Sequence, residues 1–268
     1  MANNDNDLTI DLEKIVRKQA GNKVPGFVIR WLKRIIHEDF INEFLRRGHV
    51  GVDFCVKGIE YLNIKLNIEG LEELPKEGRF TFVSNHPLGG IDGVALGGII
   101  GTRYDGKIKY LVRELLMNLK GLAPLCVGIN KFGSQSRDLP RLIDEAFRSD
   151  NHIILFPAGI CSRKINGQIH DLPWGKAFIT KSIQTHRDVI PIHFIAQNSP
   201  RFYSVAQWCK RLGIKANLAM LLLPDEMYRA CGSHYTVRFG KPIPWQTFDS
   251  SRQPSEWAQW VQDRTYEL

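Results

Sequence analysis

Apolar residues recur at two different spacings along this chain, first helical and then strand-like. Leu8, Leu12, Ile15 and Val16 fall on one face of a helix predicted over residues 8–20. The run Asn22-Lys23-Val24-Pro25-Gly26 breaks it. A longer helix is expected over 27–47, with Phe27, Trp31, Ile35, Phe40 and Phe44 on its apolar face and Gly48 as its stop. The pattern then changes. Leu62-Asn63-Ile64-Lys65-Leu66-Asn67-Ile68 alternates strictly, as a half-buried strand does. Further strands are expected over 79–84, 108–112, 123–129, 152–156, 188–195 and 234–240. Helices are expected between and after them, over 92–101, 113–119, 138–149, 173–185, 201–211 and 254–266. Alternation of this kind predicts an α/β layer fold with a largely buried sheet, residues 51–268, preceded by an amphipathic helical element, residues 1–50.

Composition narrows the function classes. With 43% hydrophobic and 24% charged residues in 268, the chain has the makeup of a globular domain. The formal charge of +8 suits an anionic membrane surface, an acidic protein partner or nucleic acid. No nucleic-acid motif accompanies it, so no nucleic-acid partner is expected. The five cysteines are widely spaced and form no Cys-x-x-Cys pair, which points to reduced thiols in a cytoplasmic setting. The start, Met1-Ala2-Asn3-Asn4-Asp5, is not a signal peptide, and no apolar run is long enough to span a bilayer. Any membrane contact is therefore expected to be peripheral, at the inner face. Trp31, Phe27 and Arg30 on the second helix are the candidates for it, against the alternative of an ordinary helix packed on the core.

The most chemically loaded stretch is Ser84-Asn85-His86-Pro87-Leu88-Gly89-Gly90-Ile91-Asp92, at the end of a predicted strand. A neutral imidazole accepts a proton from an attacking alcohol, and a carboxylate on its other nitrogen fixes the tautomer and stabilises the imidazolium. His86 and Asp92 supply such a pair if the turn folds back, and Gly89 and Gly90 make that fold sterically easy. No serine or cysteine beside them has the setting of a nucleophile, so the substrate hydroxyl is expected to attack directly.

Asn85-His86 followed four residues later by Asp92 resembles the first signature of the glycerolipid acyltransferases, of the 1-acylglycerol-3-phosphate acyltransferase type. The run Phe156-Pro157-Ala158-Gly159-Ile160-Cys161-Ser162-Arg163 resembles the Phe-Pro-Glu-Gly-Thr-Arg-Ser block of the same family. Val189-Ile190-Pro191-Ile192-His193-Phe194 resembles its closing strand, and Pro124 to Lys131 its strand that ends in a basic residue. The four blocks keep the family order between residues 80 and 195. The resemblance implies a mixed central sheet flanked by helices, an N-terminal helical element, and acyl transfer from a thioester to a lyso-lipid hydroxyl. It needs no cofactor beyond the acyl thioester co-substrate, carried by acyl carrier protein or coenzyme A. One departure bears on the acceptor. Ala158 stands where the family usually has a glutamate associated with a phosphorylated acceptor, and this variant looks more like the subgroup that acylates ornithine or glycine lipids.

Within these blocks, Lys131, Gly159, Ser162, Arg163 and Lys164 are the expected substrate-binding residues. Arg163 and Lys164 can bind an acceptor carboxylate or phosphate, or the donor's phosphopantetheine arm. The Gly159 amide is the candidate oxyanion donor, with a plain turn as the alternative. Arg137 is a weaker candidate that can equally belong to a helix cap. The remaining histidines have no metal-ligand spacing, so no catalytic metal is expected, and His193 reads as a hydrogen-bonded core residue. Residues 201–211 are basic and aromatic and suit either lipid contact or core packing. Rival functions are phosphatidic acid synthesis, thioester hydrolysis, and lipid binding without catalysis.

Overall fold

The computed structural model describes residues 9–20, 24–111, 119–127, 139–165, 167–212 and 218–268. Three helices come first, α1 (Leu12–Ala20), α2 (Gly26–Ile35) and α3 (Glu38–Leu45), then α4 (Gly51–Tyr61). The chain continues through β1 (Lys65–Glu69), β2 (Phe80–Ser84), α5 (Ile91–Arg103) and β3 (Ile108–Tyr110). After these come α6 (Leu139–Arg148), β4 (His152–Leu155), and the hairpin of β5 (Arg163–Ile165) and β6 (Gln168–His170). The last part holds α7 (Ala177–Thr185), β7 (Asp188–Ile195), α8 (Pro200–Arg211), α9 (Leu223–Arg229), β8 (His234–Phe239) and α10 (Pro254–Tyr266).

Six strands form one sheet in the order β1-β8-β7-β2-β4-β3. Every pairing is parallel except β7 with β8. The sheet is therefore mixed and helix-flanked, as the resemblance implied. β2 sits inside it and is buried at all five positions, which explains why Phe80-Thr81-Phe82-Val83-Ser84 shows no alternation. Because β2 is parallel to both β4 and β7, with Val83 opposite Leu155 and Ser84 opposite Ile192, the ends of all three strands open on one edge of the sheet. That edge is where α/β sheets collect their sites. Apolar side chains pack on both faces: Phe82, Leu96, Ile100, Ile190 and Phe194 in one cluster, Val83, Ile153, Phe178, Val189 and Val261 in the other.

Local chemistry accounts for several elements. α10 starts where expected, with Pro254 in its first turn and a reciprocal capping box between Gln253 and Glu256. α4 lies in a stretch, 51–61, to which the sequence pattern assigned no element. It packs closely on α5: a side-chain carbon added at Gly97 would lie 2.7 Å from Cys55 Sγ and 2.3 Å from the Tyr110 hydroxyl. Phe44 and Leu45 share a core cluster with Phe54, so the packing runs across residue 50.

Three expectations are corrected. The helix predicted over 27–47 is two helices, broken at His37, which adopts a left-handed φ of 51°. Tertiary contacts hold the break: the His37 ring stacks on Tyr228 at 3.9 Å and its Nε2 lies 2.8 Å from Asp225 Oδ1. The strand predicted over 123–129 begins instead as a 3₁₀ turn, Ala123–Leu125, and among the described residues of this stretch Cys126 bridges to Tyr110, while 128 and 129 lie outside them. His193 lies on β7, but its buried Nδ1 has no hydrogen-bond partner among the described residues. The helix expected over 113–119 falls almost wholly outside the described residues.

Candidate active site

The turn after β2 folds as the glycines allow. Asp92 enters the first turn of α5 and its carboxylate points back: Oδ2 lies 3.0 Å from His86 Nδ1 and accepts from the amides of Leu88 at 2.9 Å and Gly89 at 3.2 Å. Oδ1 accepts from the Gly93 amide at 2.9 Å. Asp92 is thus fully buried with four donors around it, and a carboxylate that only accepts makes His86 Nδ1 the protonated nitrogen. Gly89 takes a φ of 74°, and a side-chain carbon there would sit 2.2 Å from Cys161 Sγ. Only glycine fits both the dihedral and the approach.

The electrostatics follow from this burial. Desolvation alone would lower the His86 pKa, but the charge and hydrogen bond of Asp92, helped by Asp171, carry it above the ordinary histidine value. Desolvation would raise Asp92, yet the His86 charge and the hydrogen bonds from His86, Leu88 and Gly93 hold it below the usual carboxylate range. Burial pushes the Cys161 thiol up to about 12, so this cysteine is inert as a nucleophile.

Neighbouring strands fix the turn. Asn85 locks onto β7 twice, with Nδ2 donating to the Phe194 carbonyl at 3.0 Å and Oδ1 accepting from the Phe194 amide at 2.7 Å. Asn198, beyond β7, donates to the Pro87 carbonyl at 3.0 Å. From the end of β4, Phe156 stacks on the His86 ring with centroids 4.0 Å apart. The Ser162 amide donates to the His86 carbonyl at 2.8 Å. The first, second and closing blocks therefore meet at one strand edge.

The expected substrate-binding residues divide. Arg163 opens β5, half-buried, with its Nη1 on the Cys161 carbonyl at 2.9 Å and its guanidinium 5.8 Å from the Phe202 ring centroid. Lys164 follows it, exposed to solvent. Ser162 is buried, and its hydroxyl donates to Asp171 Oδ1 at 2.6 Å. The Gly159 amide donates to the Phe156 carbonyl at 2.9 Å and closes a turn at φ 69°. Lys131 and Arg137 lie outside the described residues. Ala158, the departure from the family block, packs at the edge of the second core cluster. Sequence reasoning missed Asp171, Asn198 and the Phe156 stacking. Asp171 stands in His170-Asp171-Leu172-Pro173-Trp174, a segment with neither periodicity nor block resemblance to mark it.

An acyltransferase family profile matches residues 14–268. The chain belongs to the acyltransferase family. This acyltransferase is 56% identical over 269 residues to a lyso-glycine lipid O-acyltransferase of Phocaeicola vulgatus, covering 98% of this chain and 96% of the relative. It is 55% identical over 264 residues to a lyso-glycine lipid O-acyltransferase of Bacteroides thetaiotaomicron, covering 97% of each. Its fold is similar to that of the 1-acyl-sn-glycerophosphate acyltransferase PlsC of Thermotoga maritima, with a TM-score of 0.52 at 15% identity over 95% of this chain and 87% of that one. No helix among the acyltransferase's described residues is long and apolar enough to cross a membrane.

Proposed function

We propose that this acyltransferase moves a fatty acyl chain from a thioester to the free hydroxyl of a lyso amino-acid lipid, of the lyso-glycine type. The observation that carries the reading is the 3.0 Å contact of His86 Nδ1 with Asp92 at the strand edge, in a chain that resembles two lyso-glycine lipid O-acyltransferases over nearly its full length. With Nδ1 held by Asp92, the lone pair is on Nε2. Nε2 takes the proton of the acceptor hydroxyl as its oxygen attacks the thioester carbonyl. The tetrahedral intermediate collapses, the C–S bond breaks, and the departing thiolate takes the proton back from the imidazolium. Buried Asp92 stabilises that imidazolium without itself being protonated.

The acceptor assignment draws on Ala158. A glycine headgroup presents a carboxylate, and half-buried Arg163, whose charge reaches His86, is the candidate to bind it, with exposed Lys164 and with Lys131 as further candidates. The net charge of +8 favours an acidic acyl carrier protein as donor over coenzyme A, and an anionic inner membrane face as the place of work. Exposed Phe27 and Trp31 on α2 suit shallow contact with lipid from the cytoplasmic side.

The test is turnover by purified protein, with acyl carrier protein and coenzyme A thioesters each offered lyso-glycine lipid or 1-acylglycerol-3-phosphate. Diacylated glycine lipid is the expected product, and His86→Ala should abolish it. Exclusive use of the glycerophosphate overturns the acceptor, and fatty-acid release without lipid product makes the protein a thioester hydrolase.

A further inference from the structure

We infer that Asp171 is a positioning residue for His86, a second buried carboxylate that holds the backbone of the base while Asp92 holds its ring. The inference deepens the proposed mechanism and rests on His86 being the base. Asp171 follows the β5–β6 hairpin and is 2% exposed. Its Oδ1 accepts from the His86 amide at 3.3 Å and from the Ser162 hydroxyl at 2.6 Å, and its Oδ2 accepts from Trp174 Nε1 at 2.9 Å. All three partners donate, so the pocket is built for the ionised, acceptor-only form. The Ser162 amide in turn donates to the His86 carbonyl at 2.8 Å. His86, Asp171 and Ser162 therefore close a ring of hydrogen bonds, and both polar groups of the His86 backbone are held.

The ring is anchored to the last helix of the fold. Tyr266, at the end of α10, accepts the Asp171 amide on its hydroxyl at 2.9 Å and stacks its ring on His170 at 3.8 Å. Gln262, one turn earlier, accepts from the Trp174 amide at 3.2 Å and donates to the Leu172 carbonyl at 3.2 Å. α10 thus grips residues 170–174 at several points, and Asp171 passes that rigidity to the base. Burial pushes the Asp171 pKa above the ordinary carboxylate value, and the hydrogen bonds from Ser162, Trp174 and the His86 amide oppose that push. A purely structural strut would not need the charge, whereas a group that supports a developing imidazolium does. The charged groups around His86 are Asp92 at the head of α5, Asp171 itself, and Arg163 on β5, which opposes the two carboxylates.

The experiment compares Asp171→Asn with wild type. Asparagine keeps the volume but turns one acceptor into a donor facing another donor, and it removes the charge. We expect kcat to fall roughly ten- to a hundred-fold with KM for both substrates nearly unchanged, as misplacement of a reacting group does. The acid limb of kcat/KM should also move to lower pH, because one carboxylate that raises the His86 pKa is gone. Tyr266→Phe, which removes the acceptor of the Asp171 amide together with the hydroxyl's interactions with Ser162 and Asn85, should lose kcat by several-fold, less than Asp171→Asn, with the acid limb in place. If Asp171→Asn fails to fold, Tyr266→Phe decides alone through its kcat and KM. A folded Asp171→Asn with wild-type kcat and pH profile, or a folded Tyr266→Phe with wild-type kcat, overturns the inference while an inactive His86→Ala leaves the base in place. An active His86→Ala would remove the base reading itself.

Discussion

The amide of Ser162 donates to the carbonyl of His86 at 2.8 Å, across 76 residues of sequence. The block that contains Phe156 to Arg163 is thus a backbone clasp on the block that contains His86. Its aromatic member, Phe156, covers one face of the imidazole. What looked like two separate motifs is one construction around a single side chain.

The pH dependence follows from the charges. In the proposed mechanism His86 works only when neutral, and Asp92 raises its pKa above the ordinary value of about 6.5. Activity should therefore fall as pH drops through a point above that value. Asp92→Asn removes the charge, so the acid limb should move to lower pH while kcat falls on the order of a thousand-fold or more. A kcat/KM profile between pH 5 and 9, at roughly half-unit steps, checks both shifts. An unshifted limb in Asp92→Asn would assign it to another group.

Gly89 and Cys161 should be coupled. Gly89→Ala drives a carbon into Cys161 Sγ at a left-handed φ, and it displaces an amide that binds Asp92. We expect loss of most activity. Cys161→Ala alone should be active, since burial keeps that thiol protonated. The double variant should recover part of the loss, because the clash with Cys161 Sγ is gone while the crowding against Leu223 and the dihedral strain stay. Strict additivity of the two single effects would contradict the close approach.

Arg187 is fully buried and donates to main-chain carbonyls of Phe147, Ser149 and Asn151 at 2.7, 2.5 and 2.8 Å. It ties the end of α6 to the starts of β4 and β7. Arg187→Ala should destabilise the protein by about 3–5 kcal/mol, since it leaves a cavity and several carbonyls without donors. Denaturant unfolding measures this, and a loss under about 1 kcal/mol would mean that water replaces the guanidinium.

Phe27 and Trp31, one helical turn apart on α2, are 67% and 60% exposed. Serine at both positions should leave the melting temperature nearly unchanged and weaken binding to anionic vesicles by roughly a hundred-fold or more, given about 1.5–3 kcal/mol for each large apolar side chain buried. Undiminished vesicle binding by the double variant would move the lipid contact elsewhere, with exposed Trp208 of α8 and Leu212 just after it the next surface to test.

Much of the fold was legible in the chain because its signals are local. The buried run of β2, the capping box and proline of α10, and the glycines that let Asp92 fold back each act within a few residues. The break at His37 was not legible, since a continuous helical pattern was overridden by contacts to Asp225 and Tyr228 almost two hundred residues away. Nor was the contact of Ser162, whose place in a motif suggested substrate and whose hydroxyl serves a buried carboxylate.

By itself, the sequence determined the α/β class and the juxtaposition of His86 with Asp92, while the reaction was read from the resemblance of the four blocks to a family. The class and the pair depend on residue types at short spacing, where backbone geometry leaves few arrangements. The tertiary structure alone decided what surrounds the pair. Parallel pairing of β2 with β4 and β7 brings three loops to one edge, and only then do Phe156, Ser162, Asn198 and Asp171 touch the turn. Hydrogen bonds between residues so far apart leave no periodicity in the chain, because each satisfies a buried group whose partner is chosen by the packing of the sheet.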